Sequence, residues 1–492
     1  MCAKQAAATY RKKNDDYFFS LIGLIACLGA AISIVILILN LVNLGITLSA
    51  KSILIILLVD AALVFLPFYL VATNKNNSSG VMRFGTIVLA ALMLFINLFA
   101  TSYLSATSDF LDNMSQGVSE GYIEYSIIAK SSAGLELPTN KSVRAGIQNT
   151  DAYKSEAEYE TKKLVDASFT EFNNISEMID AIEGYDLDIA VVQQVMLDAY
   201  SEYFPESYDK LDVLATFKTG TEDSAGASNA KVDITKPFSV YVSGIDEYGD
   251  IQKSGGRSDA NMIVLVDPEH YKMLLINTPR DFYVQLHDTV GYKDKLTHAG
   301  TFGIEMSEQT LEDLYDFEID YHVLINFTTI ATFVESMGGI HVDNPRTFEL
   351  WGQTYREGHI WLNGEQSVLF SRARKGLANG DFDRGENQQR VIEGIIDRVT
   401  DPAVVVHYKK LIKNLSGTFL TNMPGNIITQ LFSRQISLGG SWTIIRMGAT
   451  GTPAERPTYS MGGDRLLSVE VPDESSVAEI RAAIRDFMSG NG

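Results

Sequence analysis

Three long apolar runs open the chain, at Tyr17–Val42, Ser52–Ala72 and Phe84–Leu104. Each is about 20 residues or more, the length a helix needs to cross a hydrocarbon core of about 30 Å. Three runs in succession, separated by short polar breaks, do not fit one cleavable signal peptide. The pattern predicts a 1–16 tail followed by three membrane helices within 17–105.

The period then changes. "EYSIIAK" (124–130) is β-branched and aromatic and predicts a strand. "EAEYETKKLVDASF" predicts a helix, and "ISEMIDAIEGYDLDIAVVQQVMLDAYSEYF" predicts a helix stopped at Gly184, a buried strand and a second helix. Residues 107–218 therefore form a small α/β module with no chemistry-bearing motif, a spacer or recognition unit. "KTGTEDSAGASNAKVD" (218–233) has the small, polar composition of a linker, which places a boundary at 219–235.

Beyond it, "PFSVYVSGID" and "ANMIVLVDPEHYKMLLINTPRDFYVQL" predict three strands, the last two around a turn at Asp267-Pro268. A helix at "SEQTLEDLYDFEI" leads to "YHVLINFTTIATFVESMGGIHVD", which reads strand, helix, Gly-Gly stop, strand. This alternation predicts an α/β fold, an α/β/α sandwich with a mixed central sheet over 236–400. Residues 401–492 complete it with helices, strands at "WTIIRMGATG" and "RLLSVEVP", and a last helix "SSVAEIRAAIRDFM".

Charge fixes the expected topology. Lys4, Arg11, Lys12 and Lys13 mark the tail, and Lys75 and Arg83 the second loop, whereas the first turn has only Lys51. The tail and second loop then face the cytoplasm and everything after about residue 105 lies outside the cell. Residues 1–105 hold seven Lys+Arg against three Asp+Glu, and the remainder 33 against 58, so the exported part is strongly acidic. Such a domain does not bind polyanions generally, and an anion site in it must be a local arginine cluster. Both cysteines, Cys2 and Cys27, precede the exported part, which therefore holds no disulfide. Asp60 falls inside the second run, where an inter-helix hydrogen bond is favoured over a proton relay.

Against this acidic background, "SRARKGLANGDFDRGENQQR" (371–390) gathers four arginines. Asp246, Arg257, Asp259, Arg280 and Asp281 fall at the ends of earlier predicted strands. Arg372 and Arg374 are two apart and point the same way on extended backbone. A helix predicted from near Asp383, with Glu386 completing a capping box, puts Arg384 and Gln388 on one face. Taken singly, each Asp is a turn residue and each Arg a solvated charge. Taken together they fit phosphoryl chemistry: guanidinium forks bind pyrophosphate oxygens, and two carboxylates suit Mg²⁺ shared with phosphate. His298 in "KLTHAG" is read as structural, and no Walker A, HExxH or CxxC pattern occurs.

"SGID" with "RSDANMIVLV", "INTPRDFYVQL", "KLTHAGTFG", "FVESMGGIHVDNP" and "LNGEQSVLFSRARKGLANGDFDRGENQQRVI" run in order over about 237–400 and resemble the LytR-CpsA-Psr family. The anchor and added module resemble its streptococcal capsule-locus members. The resemblance implies a plasma-membrane phosphotransferase that moves a glycan, here a capsular one, from undecaprenyl pyrophosphate to peptidoglycan. Working in the lipid bilayer, it would stand beside capsule-assembly membrane proteins. By motif, Asp246 and Asp259 would hold Mg²⁺, and Arg257, Arg280, Arg372, Arg374 and Gln388 would bind pyrophosphate. Arg384 and Asp381 would complete the catalytic site with Arg374, Asp381 as base or orienting group. The lipid would occupy an apolar channel. "THAGTFGIE" departs from the family's tyrosine-rich pattern at Thr297–Gly303, with Lys295 left near enough to reach a phosphate.

Two other readings attach to the same residues, a lipid pyrophosphatase and a membrane-bound regulator of capsule expression. Direct contact with nucleic acid is not expected, because the cytoplasmic tail and loop are too short for a helix-turn-helix unit.

Overall fold

The computed structural model describes residues 28–39 and a few others before residue 70, then 80–116, 122–151, 153–220, 233–245, 256–374, 381–401, 419–438 and 440–490. Cys2, Cys27, Asp60, Asp246, Lys375, most of the second apolar run and most of the predicted linker lie outside the described residues. The chain divides into two compact units.

The first unit contains helix α1 (Gly80–Gln116), whose Phe84–Ser102 segment is long and apolar enough to cross a membrane. Leu28–Leu39, within the first predicted span, is a shorter apolar helix. Their large apolar side chains, among them Phe84, Leu92, Phe95 and Phe99, are exposed, while Ala30, Ser33, Ala90 and Asn97 are buried. Asn97 Nδ2 donates to Ser33 Oγ at 3.0 Å. Apart from buried Ile34, small and polar residues lie inside and apolar ones outside, the arrangement that suits helices packed in lipid.

The second unit begins with a five-stranded sheet of order β3-β2-β4-β1-β5. Its strands are β1 (Tyr122–Lys130), β2 (Thr139–Gln148), β3 (Val165–Phe172), β4 (Ile189–Gln193) and β5 (Leu211–Gly220). Helices α2 (Lys154–Leu164), α3 (Ile175–Glu183) and α4 (Gln194–Tyr203) pack against it. The helix predicted through "LVDASF" stops at Leu164, because Val165–Phe172 alternates buried and exposed positions and pairs in parallel with β2. The strand β5 takes "KTG" from the predicted linker, paired antiparallel to β1.

A second, six-stranded sheet follows. Its strands are β6 (Phe238–Ile245), β7 (Ser258–Asp267), β8 (Lys272–Thr278), β9 (Tyr321–Asn326), β10 (Phe419–Thr421) and β11 (Thr443–Gly448). The order is β10-β9-β6-β7-β8-β11, with β9/β6 and β8/β11 parallel and the other pairs antiparallel. The sheet is mixed, as the sequence pattern predicts.

Alternation sorts its residues to two faces. On one face Tyr241, Ile263, Leu265, Leu274 and Ile276 pack under α5 (Ile304–Tyr315) and the C-terminal helix Glu474–Met488. On the other lie α6 (Phe327–Ser336), α7 (Gly364–Ser371) and α8 (Asp381–Thr400). Hairpin Gly451–Thr458/Gly462–Pro472 joins the two sheets, since Met461, Leu467 and Val469 share a core with α3 and α4.

Candidate active site

The site lies on the second face. Asn326 ends β9 and starts α6 with a reciprocal cap: its Oδ1 accepts from Thr329 N, and its own N donates to Thr329 Oγ1. Asn363 starts α7 in the same way with Gln366. Arg372 closes α7 at φ −95°, ψ −5°, so it is not in an extended strand. Arg372 and Arg374 nevertheless line the same cavity, because the chain leaves the helix there. Helix α8 starts at Asp381, two residues before the predicted start. Asp383 is therefore not a cap; its buried carboxylate takes a two-pronged bond from Arg346, at 2.8 and 3.1 Å.

These elements surround a cavity of about 560 Å³. One end is polar, with Asp259, Arg280, Arg372, Arg374, Arg384 and Gln388. The rest is mainly apolar, with Val242, Met262, Ile330, Leu350, Val391 and Ile392, and adds only Asn326 and Ser371 as polar side chains among the described residues. Gln388, Val391 and Ile392 continue the face of Arg384 along α8, as the fourfold spacing predicts. Gly244 and Ala260, opposed in register, supply no bulk at the polar end.

The polar end is internally braced. Asp259 Oδ1 accepts from Arg280 Nη1 at 2.7 Å and from Thr297 Oγ1 at 3.1 Å. Arg384 Nη2 reaches the Asp259 carbonyl at 3.5 Å. The Arg372 guanidinium stands over the Phe327 ring at 4.4 Å and the Trp351 ring at 5.9 Å.

Behind Arg280, Asp281 Oδ1 lies 3.5 Å from Arg280 Nε and 3.1 Å from Lys295 Nζ. Burial opposes charge on Asp281, but Lys295 and then Arg280 outweigh it and hold its pKa below the usual carboxylate range.

Among the predicted site residues, Arg257 and Lys295 do not line the cavity. Arg257 pairs with Glu202 at the end of α4, and its burial is outweighed by that carboxylate, which raises its pKa. Lys295 is buried between Asp281 and the Tyr203 ring. Both therefore tie the site to the first sheet's helices. Asp381 sits at the α8 N-terminus; its side chain lies outside the description, as does all of Asp246.

Arg390 is mostly covered rather than a surface charge, bonded to Glu386 and Asn387. His298 is wholly buried, its Nδ1 2.6 Å from Asp294 Oδ1 and 2.9 Å from Ser460 Oγ. That is a structural role, as the sequence reading has it. Phe327, Trp351 and Arg346 are residues of the site and its supports that spacing does not single out, whereas Asp281 was picked out with Arg280 at the end of its predicted strand.

For a metal, no group of three or more His, Cys, Asp or Glu occurs among the described residues. Asp259 is the carboxylate among the described lining residues. Mg²⁺ keeps waters and substrate phosphate oxygens and asks for one or two protein carboxylates, a demand that Asp259 fits.

The chain belongs to the LytR-CpsA-Psr family, whose model matches residues 210–446. Among its relatives is the polyisoprenyl-teichoic acid–peptidoglycan teichoic acid transferase TagU of Enterococcus faecalis. It is 34% identical over 204 residues, 41% of this chain and 67% of that protein. TagU of Bacillus mycoides is 30% identical over 215 residues, 44% of this chain and 68% of that one. The crystal structure of B. subtilis TagV aligns at 27% identity and a TM-score of 0.44, covering 52% of this chain and 98% of that one.

Proposed function

We propose that this protein transfers a glycopolymer, a capsular polysaccharide, from undecaprenyl pyrophosphate to peptidoglycan through a phosphodiester. The observation that carries this reading is the cavity itself, an apolar chamber with guanidinium groups at one end. A free sugar phosphate has no use for the chamber, and a neutral lipid has none for the arginines. A polyisoprenyl pyrophosphate uses both. The printed names of the TagU relatives, polyisoprenyl-linked and peptidoglycan-directed, support the same class.

In this reading the polyisoprenyl chain lies along Val242, Met262, Ile330 and Val391, and Arg280, Arg372, Arg374, Arg384 and Gln388 hold the pyrophosphate. Planar forks fixed by Asp259 and by the Phe327 ring are already oriented, so little reorganisation accompanies the build-up of charge. An acceptor hydroxyl oxygen bonds to the sugar-linked phosphorus, the bond from that phosphorus to the lipid phosphate oxygen breaks, and lipid monophosphate leaves. Asp381 accepts or orients the hydroxyl proton. Mg²⁺ on Asp259 and Asp246 would neutralise phosphate charge when bound. Arg257 and Lys295 support the site from the side of the first sheet. The three spans would place the tail inside, and both sheets outside, the plasma membrane.

The test is made in cells lacking paralogues. Arg374→Ala and Asp246→Ala are each expected to abolish attachment of glycan to the wall while the protein accumulates at normal level. Full attachment by both variants overturns the reading.

A further inference from the structure

The sheet face that bears the arginine cavity bears a second cavity of about 560 Å³. Register makes the two neighbours. Val323, Val242, Met262, Asn277 and Gly448 are successive cross-strand partners on β9, β6, β7, β8 and β11. Val242 and Met262 line the first cavity, Asn277 and Gly448 the second.

Helix α8 forms the partition. Arg384 and Gln388 face the first cavity, while Phe382, Glu386, Gln389 and Arg390 face the second. Gly385 sits directly on Asn277, where an added Cβ would collide with the carboxamide nitrogen. Gln389 Nε2 donates to Leu275 O at 3.0 Å and Met447 O at 2.6 Å, pinning the helix to two strands.

The chemistry of the two linings differs. In the second cavity each guanidinium meets a carboxylate: Arg390 Nη2 is 2.9 Å from Glu386 Oε2, and Arg446 Nη1 is 3.2 Å from Glu393 Oε2. Balanced charges do not select an anion. Carboxamides, paired charges, the backbone of Met447–Thr450 and one phenyl ring suit a neutral polyhydroxylated ligand. Its hydroxyls meet both donors and acceptors, and the apolar face of its ring packs on Phe382.

We propose that this second cavity is the acceptor-saccharide subsite. The proposal rests on the transferase reading and assigns the acceptor's place in it. A saccharide seated against Phe382, Glu386 and Asn277 stands on the opposite side of the α8 N-terminal turn from the pyrophosphate. In the proposal one of its hydroxyls passes that turn to the phosphorus, and the bonds exchanged are those of the transfer described above, the proton passing to a base there.

The experiment uses the full chain in detergent micelles. The donor is a polyisoprenyl-pyrophosphate-linked glycan, and the acceptor an oligosaccharide of N-acetylated amino sugars, the backbone chemistry of peptidoglycan. Phe382→Ala and Arg446→Gln are expected to raise the acceptor KM about tenfold with donor KM within about twofold. Glu386→Gln, an exposed change that keeps shape, guards against a folding defect and is expected to move acceptor KM in the same direction. Titration of the oligosaccharide alone should show binding to the wild type and none to Phe382→Ala. Unchanged acceptor KM in all three variants, with wild-type transfer intact, overturns the subsite and leaves the transferase reading standing. No acceptor-dependent transfer by the wild type overturns both.

Discussion

The two faces of the six-stranded sheet are made from alternate residues of the same strands, yet around β7 and β8 one is filled and the other is hollow, the filled face opening into a smaller cavity of about 340 Å³ beside β9 and β10. Ile263 and Leu265 point into a close-packed layer closed by α5 and the C-terminal helix. Met262, their neighbour on β7, points into an apolar cavity. A void of that size forfeits dispersion contacts and burial that a few larger side chains would recover. The filled face holds the domain together; the hollow face carries the arginines and, in the proposed reading, takes the ligand.

The sharpest way to break this contrast is to fill the hollow face. Ile330→Trp is expected to cut use of long-chain polyisoprenyl donors by about 100-fold or more while short-chain donors retain most of their rate. Donor chain-length profiles check this. Equal loss for both lengths would place the lipid elsewhere.

Next in size is truncation on the filled face. Ile263→Ala is expected to cost about 2–5 kcal/mol, read from denaturant midpoints. Ile330→Ala, beside existing space, is expected to cost well under half of that. Equal costs would remove the distinction between the faces.

The smallest expected effect concerns the brace behind the mouth. The Asp281 pKa is depressed by Lys295 and Arg280, so its contribution to stability is present above the unfolded value of about 3.9 and is lost as pH falls through its lower folded value. Lys295→Met is therefore expected to destabilise most near neutral pH. The difference from wild type should shrink below about pH 4. A difference that grows on acidification would contradict the brace.

Much of this was legible in the chain. Periodicity placed β6–β9 and β11 but not the short edge strand β10, and the fourfold spacing of Arg384 and Gln388 placed them on one side of α8. The limits are equally physical. Alternation marks Met262 and Ile263 alike as buried, because a periodic apolar pattern records exclusion from water and not whether the space is filled. Arg372 and Arg374 converge for a reason other than extended backbone, since Arg372 ends a helix. Arg257 looks from its position like a phosphate ligand, yet it turns to Glu202 of the first sheet's α4, a partner 55 residues away. Arg346 meets Asp383 through tertiary packing alone. Val165–Phe172 is a strand because β2 offers an edge, which overrides the helical run before it.

The central claim is that one site joins a lipid-borne pyrophosphate to an acceptor hydroxyl. Purified full-length protein, a polyisoprenyl-pyrophosphate-linked glycan and peptidoglycan oligomers test it by counting products. The account predicts one lipid monophosphate released for each glycan phosphodiester formed, with little release when the acceptor is omitted. Release at an undiminished rate without acceptor, with no phosphodiester formed in its presence, would contradict it and identify a pyrophosphatase.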